Sequence, residues 1–182
     1  MTKEKMKPIF PYIGIPLLSA ILLVLHADRP DPFIIFRYEL LIIFGYVAAV
    51  FDIKSKIIPN SLTLTMLAAW VIITVPMLIT DIDAAAALLA GSALGFAVGG
   101  GLFLIAYFIS RKGLGGGDVK FMAAAGLYLG YEGVLSSMLL GTILAAVFSL
   151  VLIVLKKINR KDTIPLAPFL LIGILITVFF AT

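Results

Sequence analysis

The sequence predicts an all-α protein, a polytopic bundle of transmembrane helices with six to seven spans. Its 182 residues are 62% hydrophobic and 13% charged, and the mean hydropathy is +1.17. Soluble domains are nearer half apolar and about a quarter charged. Apolar stretches recur along the chain, and about 20 apolar residues are enough to cross a bilayer. The length suits one domain, so we expect residues 1–182 to form a single transmembrane unit.

Seven apolar stretches follow one another in the sequence, and most have about the length of a span. In chain order they are Ile9–Leu25, Phe33–Phe51, Leu62–Ile79, Ala84–Ile109, Val119–Tyr131, Gly133–Leu155 and Ile164–Ala181. The fifth, Val119–Tyr131, is short. It is a tilted half-span, a re-entrant segment or the start of a longer bent helix. In the fourth stretch Gly91, Gly95 and Gly99 recur every fourth residue, which predicts a face for close helix packing.

Basic residues concentrate in alternate loops, and this predicts the orientation of the chain. The basic loops carry Lys3, Lys5, Lys7, Lys54, Lys56, Arg111, Lys112, Lys120, Lys156, Lys157, Arg160 and Lys161. The other loops are acidic or nearly neutral, with Asp28, Arg29, Asp31, Asp81, Asp83 and Glu132. By the positive-inside rule the basic loops face the cytoplasm, so we expect a multi-pass protein of the cell membrane. The alternation requires Val119–Tyr131 to cross the membrane.

Two aspartates lie at the ends of apolar stretches on this cytoplasmic side. Asp52 ends the second stretch, and Asp118 begins the fifth directly after a run of glycines. An ionisable group near hydrocarbon is expensive, so its default interpretation is functional. Each acid also has a structural alternative: Asp118 as a helix N-cap, and Asp52 in interfacial water beside Lys54 and Lys56.

A pair of carboxyls at one membrane depth favours aspartyl proteolysis. Carboxyls held close share a proton, so one takes a proton from water while the other donates to the scissile carbonyl. The chain has no cysteine, and its single histidine, His26, is predicted on the opposite membrane face. Cysteine and Ser-His nucleophiles and thiolate metal sites are therefore disfavoured, and we expect no metal and no cofactor. The sequence has no stripe of basic residues interleaved with aromatics, so we expect no binding to nucleic acid. Membrane lipid is the expected surrounding.

The glycines before Asp118 suggest a surface for substrate. Gly115, Gly116 and Gly117 lack a Cβ, so their backbone can bend and approach a peptide closely. Irregular backbone at membrane depth is tolerated where protein or a wet cavity covers it. We therefore expect these glycines to line the site and to pair with an extended substrate. The alternative is a flexible loop between helices.

Lysines near both acids are candidates for substrate binding. Lys120 follows Asp118 by two residues, and Lys54 and Lys56 follow Asp52. We hypothesise that Lys120, and also Lys54 or Lys56, attracts an acidic substrate side chain near the cleavage point. Positive-inside topology explains the same lysines equally well.

Pro59 and Asn60 are expected to position the first acid indirectly. Pro59 ends the loop after Asp52, and Asn60 or Ser61 is expected to cap the helix that begins near Leu62.

Two motifs give the chain a resemblance to a known family. Asp52 stands in the pattern D-x5-I-P-N, and residues 115–120 read Gly-Gly-Gly-Asp-Val-Lys, a G-x-G-D-x-K pattern. In this order, two spans apart and in a polytopic chain, the motifs resemble those of prepilin peptidases, including archaeal preflagellin peptidases. The segment 164–170 is also similar to the start of that family's last helix. The resemblance extends from about Phe33 to the end.

The resemblance implies a membrane aspartic endopeptidase whose catalytic pair is Asp52 and Asp118. Its partner would be a type IV prepilin-like or archaeal preflagellin precursor, cut at the cytoplasmic membrane face after a short basic leader. Larger bacterial members have a cytoplasmic domain with two CxxC pairs and also methylate the new amino terminus. This chain has no cysteine, so the expectation is cleavage without N-methylation. No oligomeric state is predicted.

Two alternatives remain at this point. Presenilin-like and signal peptide peptidases also use a G-x-G-D acid, but they typically have Tyr-Asp where this chain has Phe51-Asp52, and they are longer. A small proton- or cation-coupled transporter would place its acids along a path near the middle of the membrane. Here both acids lie at the ends of apolar stretches beside lysines.

Overall fold

A computed structural model describes residues 14–25, 31–110, 113–159 and 162–180. Within these residues the chain forms six helices and no strand: α1 (Gly14–Leu25), α2 (Pro32–Ser55), α3 (Asn60–Thr80), α4 (Ile82–Ile109), α5 (Gly116–Val154) and α6 (Ala167–Phe180). Helices α2, α3, α4 and α5 are long and apolar enough to cross a membrane. The predicted all-α polytopic bundle is confirmed. His26 and the first residues of the predicted span Ile9–Leu25 lie outside the described residues.

Short polar signals set several helix ends. The Asp31 carboxylate accepts hydrogen bonds from the amides of Phe33 and Ile34 at the start of α2, where Pro32 occupies the first position. Asp81 caps α4 in the same manner through the amide of Ala84. These acids therefore act as helix caps.

Helix α5 consists of two arms that meet at Gly130. This residue has φ 70° and ψ −177°, a conformation that only glycine adopts readily. A straight helix would separate Asp118 from Ala145 by about 40 Å, yet both residues line one cavity. Gly99 of α4 likewise lies beside Met122 of the first arm and Val134 of the second. The chain therefore turns back at Gly130, and the two arms run in opposite directions.

This reversal settles the status of the short apolar stretch. The first arm covers residues 116–129, about 21 Å of helix, and a bilayer core is about 30 Å thick. Val119–Tyr131 is thus mainly a short helical arm of its own, joined to the next helix by a sharp turn. Tyr131 and Glu132 lie exposed at that turn.

The first arm of α5 is the centre of the bundle. Residues 121–126 are all buried, and Phe121, Met122 and Tyr128 are completely so. The Tyr128 hydroxyl donates a 2.6 Å hydrogen bond to the carbonyl of Met66 and links the arm to α3. Helices α2, α3, α4 and α6 all contact α5. Because other helices surround this arm, little of it faces lipid, and it can be shorter than a full span.

Close packing of α4 on α5 depends on two of the three glycines in the predicted face. A Cβ at Gly95 would collide with backbone atoms of Gly126 and Gly130. A Cβ at Gly99 would collide with the carbonyl of Met122. A Cβ at Gly91 would meet nothing within 4 Å. The small-residue face is therefore confirmed for Gly95 and Gly99 but not for Gly91.

Gly95→Ala is expected to destabilise the protein by about 1–3 kcal/mol, because its methyl group overlaps backbone that cannot rotate away. Thermal unfolding of the purified protein measures this, at about 2–4 °C per kcal/mol for a chain of this size. The matched control is Gly91→Ala, one turn earlier in α4, which is expected to leave the melting temperature unchanged or raise it. Equal melting temperatures for the two variants would contradict the packing described.

Candidate active site

Three helix ends bring the two predicted acids together. Asp52 lies in the last turn of α2, Asp118 in the first turn of α5, and α6 begins beside them at Ala167. The side chains of Asp52 and Asp118 are only 5% and 8% exposed. Both line one cavity of about 470 Å³, and their carboxyls are close enough to interact electrostatically. The structure thus assembles the pair that the sequence suggested.

Residues from distant parts of the chain line the cavity beside the two acids. Residues 113–115 precede α5, residues 162–166 precede α6, and Ala145 contributes from the second arm of α5. Asp162 also lines the cavity, where its carboxylate accepts a 2.7 Å hydrogen bond from the amide of Asn159. The volume and the irregular backbone at its edge suit a short extended segment of a larger molecule.

Asp52 is oriented by the start of α6. Its Oδ2 accepts a 2.8 Å hydrogen bond from the backbone N–H of Ala167, and the Leu166 amide adds a second backbone contact. The first N–H groups of a helix have no partner within the helix, so they are available to a carboxylate. We did not predict this contact from the sequence. Pro165 and Pro168, which flank the first position of α6, mark the helix start that supplies it.

Asp118 has a different environment. The cap position of α5 is Gly115, and Asp118 is the third helical residue, so the alternative in which Asp118 caps the helix is wrong. The Gly115 amide faces the Asp118 carboxyl. Oδ1 of Asp118 is buried and has no hydrogen-bond partner among the described residues. Buried polar atoms are normally paired, so an unpaired carboxyl oxygen beside a cavity is typical of a functional group.

The three glycines before Asp118 have unequal positions. Gly115 is extended, with φ −74° and ψ 137°, and it lines the cavity. Gly116 and Gly117 already belong to the first turn of α5. A Cβ at Gly117 would lie 3.0 Å from the Cβ of Ile58 and 3.3 Å from its backbone nitrogen and oxygen. The extended backbone that pairing with a substrate needs is therefore present at Gly115 alone, and Gly117 allows α5 to approach the loop after α2.

Only one of the three candidate lysines lines the cavity of the acids. The Lys56 ammonium donates hydrogen bonds to the carbonyl and hydroxyl oxygens of Thr163, at 2.7 and 3.3 Å. Lys56 thus fastens the end of α2 to the loop before α6. Lys54 lies away from the cavity, on a surface shared with Tyr46 and Phe51. Lys120 lies on the far side of α5, where its ammonium donates a 2.9 Å hydrogen bond to Oδ1 of Asn60.

The cap of α3 lies earlier in the chain than the sequence predicted. Pro59 occupies the cap position of α3, and the helix begins at Asn60, two residues before the predicted start near Leu62. Neither Asn60 nor Ser61 is the cap residue, so that expectation is wrong. The Asn60 side chain accepts from Lys120 instead, which joins the start of α3 to the start of α5.

An apolar groove of about 570 Å³ lies behind Asp118, between α3, α4 and α5. Leu64, Phe96 and Leu104 contribute its apolar walls, and Asn60 and Lys120 form its polar end. The groove and the cavity of the acids lie on opposite sides of the first turn of α5, since Asp118 and Lys120 are two residues apart on a helix.

The chemistry that this arrangement supports is proton transfer between two carboxyls and a bound group. Two neighbouring carboxyls can hold one proton and one negative charge, so the pair offers an acid and a base in one cavity. In the described parts of the chain, no three His, Cys, Asp or Glu side chains cluster as metal ligands would. Backbone amides of Ala167 and Leu166 are the groups that support Asp52.

Comparisons with known proteins match this chain to leader peptidases. A profile of the type IV leader peptidase family matches residues 40–150, which include Asp52 and Asp118. A prepilin leader peptidase/N-methyltransferase from Legionella pneumophila is 30% identical over 145 residues, which cover 78% of this chain and 49% of that protein. Proteins of the same name from Aeromonas salmonicida and Bacillus subtilis are 30% and 28% identical over 164 and 128 residues.

For these two relatives the matched region covers 89% and 70% of this chain, and 55% and 48% of the relative. The chain therefore spans about half the length of the curated relatives it matches. No solved structure gave a significant match.

Proposed function

This chain belongs to the type IV leader peptidase family, and on that premise we propose that it is a membrane aspartic endopeptidase. Its substrates would be type IV prepilin-like or archaeal preflagellin precursors, cut after the short basic leader at the cytoplasmic membrane face. One observation carries the proposal: Asp52 and Asp118, from separate helices, are both buried and line one cavity within the region that the family shares.

The proposed reaction is hydrolysis by general acid and base catalysis, with no covalent intermediate. One carboxylate takes a proton from water, whose oxygen attacks the scissile carbonyl carbon, and the other carboxyl donates its proton to the carbonyl oxygen. The carbon–nitrogen bond then breaks as a proton passes to the leaving nitrogen. Each positioned acid or base of this kind contributes about 10²–10⁴-fold to the rate. The two aspartates supply both groups without any other side chain.

Positive charge at the end of the bundle that carries the two acids supports an active site on the cytoplasmic side. The contacts of Lys56 with Thr163 and of Lys120 with Asn60 join loops at the same end of the helices as the two acids. Lys156 and Lys157, after the second arm of α5, add two exposed basic residues. Basic loops of this kind remain in the cytoplasm. A precursor with a basic leader in water and an apolar helix in the bilayer would meet the cavity at the boundary between the two.

The position of the acids also bears on the two alternative functions. Asp52 is three residues from the end of α2, and Asp118 is the third residue of α5. A proton- or cation-coupled path would need acids nearer the middle of the membrane, so a transporter has less support. A presenilin-like or signal-peptide-peptidase-like enzyme would use the same pair, but the family match is to leader peptidases.

Asp52→Asn and Asp118→Asn are each expected to lower precursor cleavage by at least about 10²-fold, because each variant removes one proton donor or acceptor. The measurement is cleavage of a prepilin-type precursor by the purified protein, followed by the appearance of the shortened product. Asp83→Asn is the matched control: Asp83 is exposed in the first turn of α4, away from the cavity. Full activity in either dyad variant would exclude the paired mechanism.

Lys120 is proposed to attract an acidic side chain of the precursor at the polar end of the apolar groove. Lys120→Met is then expected to raise KM several-fold while kcat changes little, because charge attraction acts on binding. Lys157→Met removes a cation from the same end of the protein without touching the groove, and it serves as control. Unchanged KM in Lys120→Met would leave this lysine with its hydrogen bond to Asn60 and its contribution to topology, and would refute a role in substrate binding.

We also propose that the protein cleaves without methylating the new amino terminus. The relatives are named as both peptidases and N-methyltransferases, but the CxxC pairs that the larger members carry have no counterpart in a chain without cysteine. Incubation with labelled S-adenosylmethionine and a precursor is expected to give cleaved product that carries no label. Labelled product from the purified protein would refute this proposal.

A further inference from the structure

The two aspartates are held in different ways although they line one cavity. Oδ2 of Asp52 accepts a 2.8 Å hydrogen bond from the Ala167 amide, and the Leu166 amide supports the same carboxyl. Oδ1 of Asp118 is buried without a partner among the residues that the structure describes. The first carboxyl therefore has two backbone donors beside it, whereas the second has the Gly115 amide and one buried oxygen without a donor.

Although Asp52 is buried in the last turn of α2, the groups that contact its carboxyl favour a negative charge. Ala167 is the first residue of α6, so its N–H belongs to the partially positive end of that helix. The Lys56 ammonium lies in the same cavity, held by the carbonyl and hydroxyl of Thr163. An ionised carboxylate only accepts hydrogen bonds, which is what backbone amides require of a partner.

The surroundings of Asp118 favour a proton. Its place in the first turn of α5 and the facing Gly115 amide both help a charge on this residue. However, an ionised oxygen that is buried without a donor loses its hydration and gains no hydrogen bond in return. A protonated carboxyl needs only an acceptor for its proton, and the Asp52 carboxylate across the same cavity, or the carbonyl of a bound peptide, would provide one. Asp162, which also lines the cavity, is exposed and bonded to Asn159.

We propose that Asp118 carries the proton of the pair and that Asp52, held by the amino end of α6, is its ionised partner. The assignment of catalytic roles rests on the proposed peptidase function, whereas the location of the proton does not. In the reaction, the Asp52 carboxylate takes a proton from the attacking water, and Asp118 gives its proton to the carbonyl oxygen. Addition of water gives a tetrahedral intermediate with two hydroxyl groups on the former carbonyl carbon, the diol. When the diol collapses, Asp52 passes its proton to the leaving nitrogen as the carbon–nitrogen bond breaks. Asp118 recovers a proton from the diol hydroxyl, so both acids return to their starting states.

Infrared difference spectroscopy at neutral pH tests where the proton lies, because a protonated carboxyl and a carboxylate absorb at different frequencies. The full chain is compared with Asp118→Asn and Asp52→Asn in the same bilayers. The protonated-carboxyl band is expected to disappear in Asp118→Asn and to persist in Asp52→Asn. Asp83→Asn, which changes an exposed acid in the first turn of α4, is expected to leave that band intact. Asp118→Ala and Asp52→Ala repeat the comparison without an amide side chain, and thermal unfolding verifies that each variant is folded.

Three outcomes would overturn the assignment. Loss of the band in Asp52→Asn with retention in Asp118→Asn would place the proton on the other acid. Loss in both variants would mean that the proton belongs to the pair and to neither residue. Retention in both would mean that neither acid carries it. Cleavage of a precursor by the unmodified protein is measured separately, so failure of the peptidase function is distinguished from failure of the proton assignment.

Discussion

Two carboxyls are buried at one cavity, and the ends of three helices are arranged around them. A buried acid is costly unless backbone or solvent supports it, and the bundle meets that need with the ends of helices. The first amide of α6 serves Asp52, and the cap residue of α5 serves Asp118. Lys56 holds the loop before α6 against the end of α2. The site therefore exists only where α2, α5 and α6 meet.

The reversal at Gly130 explains how such a site forms within a short chain. It divides α5 into two arms, so the first arm lies at the centre of the bundle while the second returns to the level of Asp118. Gly95 and Gly99 let α4 approach this central arm closely. Because neighbouring helices surround the arm, it need not match the full thickness of the membrane. A short central helix thus holds one acid in its first turn, buried where three helix ends meet.

The sequence predicted the architecture and the acid pair because both leave local signals. Long apolar stretches mark helices, loop lysines mark one side, and an acid at the edge of an apolar stretch is conspicuous. The contacts that organise the site leave weaker signals. Nothing near Asp52 indicates that its partner is the amide of Ala167, 115 residues later in the chain. The two prolines near α6 show where that helix begins but not what it faces.

The roles of the flanking residues were harder to predict for a similar reason. Helical phase places Lys120 on the opposite side of α5 from Asp118, although the two are close in sequence. Gly116 and Gly117 belong to a helix, whereas a glycine run by itself suggests extended backbone. In each instance the residue type was informative, and the direction of the side chain or the backbone decided its role.

The side chains of residues 52 and 118 line one cavity. Cross-linking tests this arrangement directly, because the chain has no cysteine of its own and an introduced pair is the only pair of thiols. A variant with cysteine at both positions, treated in membranes with a short bifunctional thiol reagent, is predicted to yield a linked pair of peptides by mass spectrometry. The pair 54 and 118 is predicted to yield none, since Lys54 lies on another surface. Absence of the 52–118 link while each cysteine reacts singly, or equal linkage in both pairs, would show that residues 52 and 118 do not face one cavity.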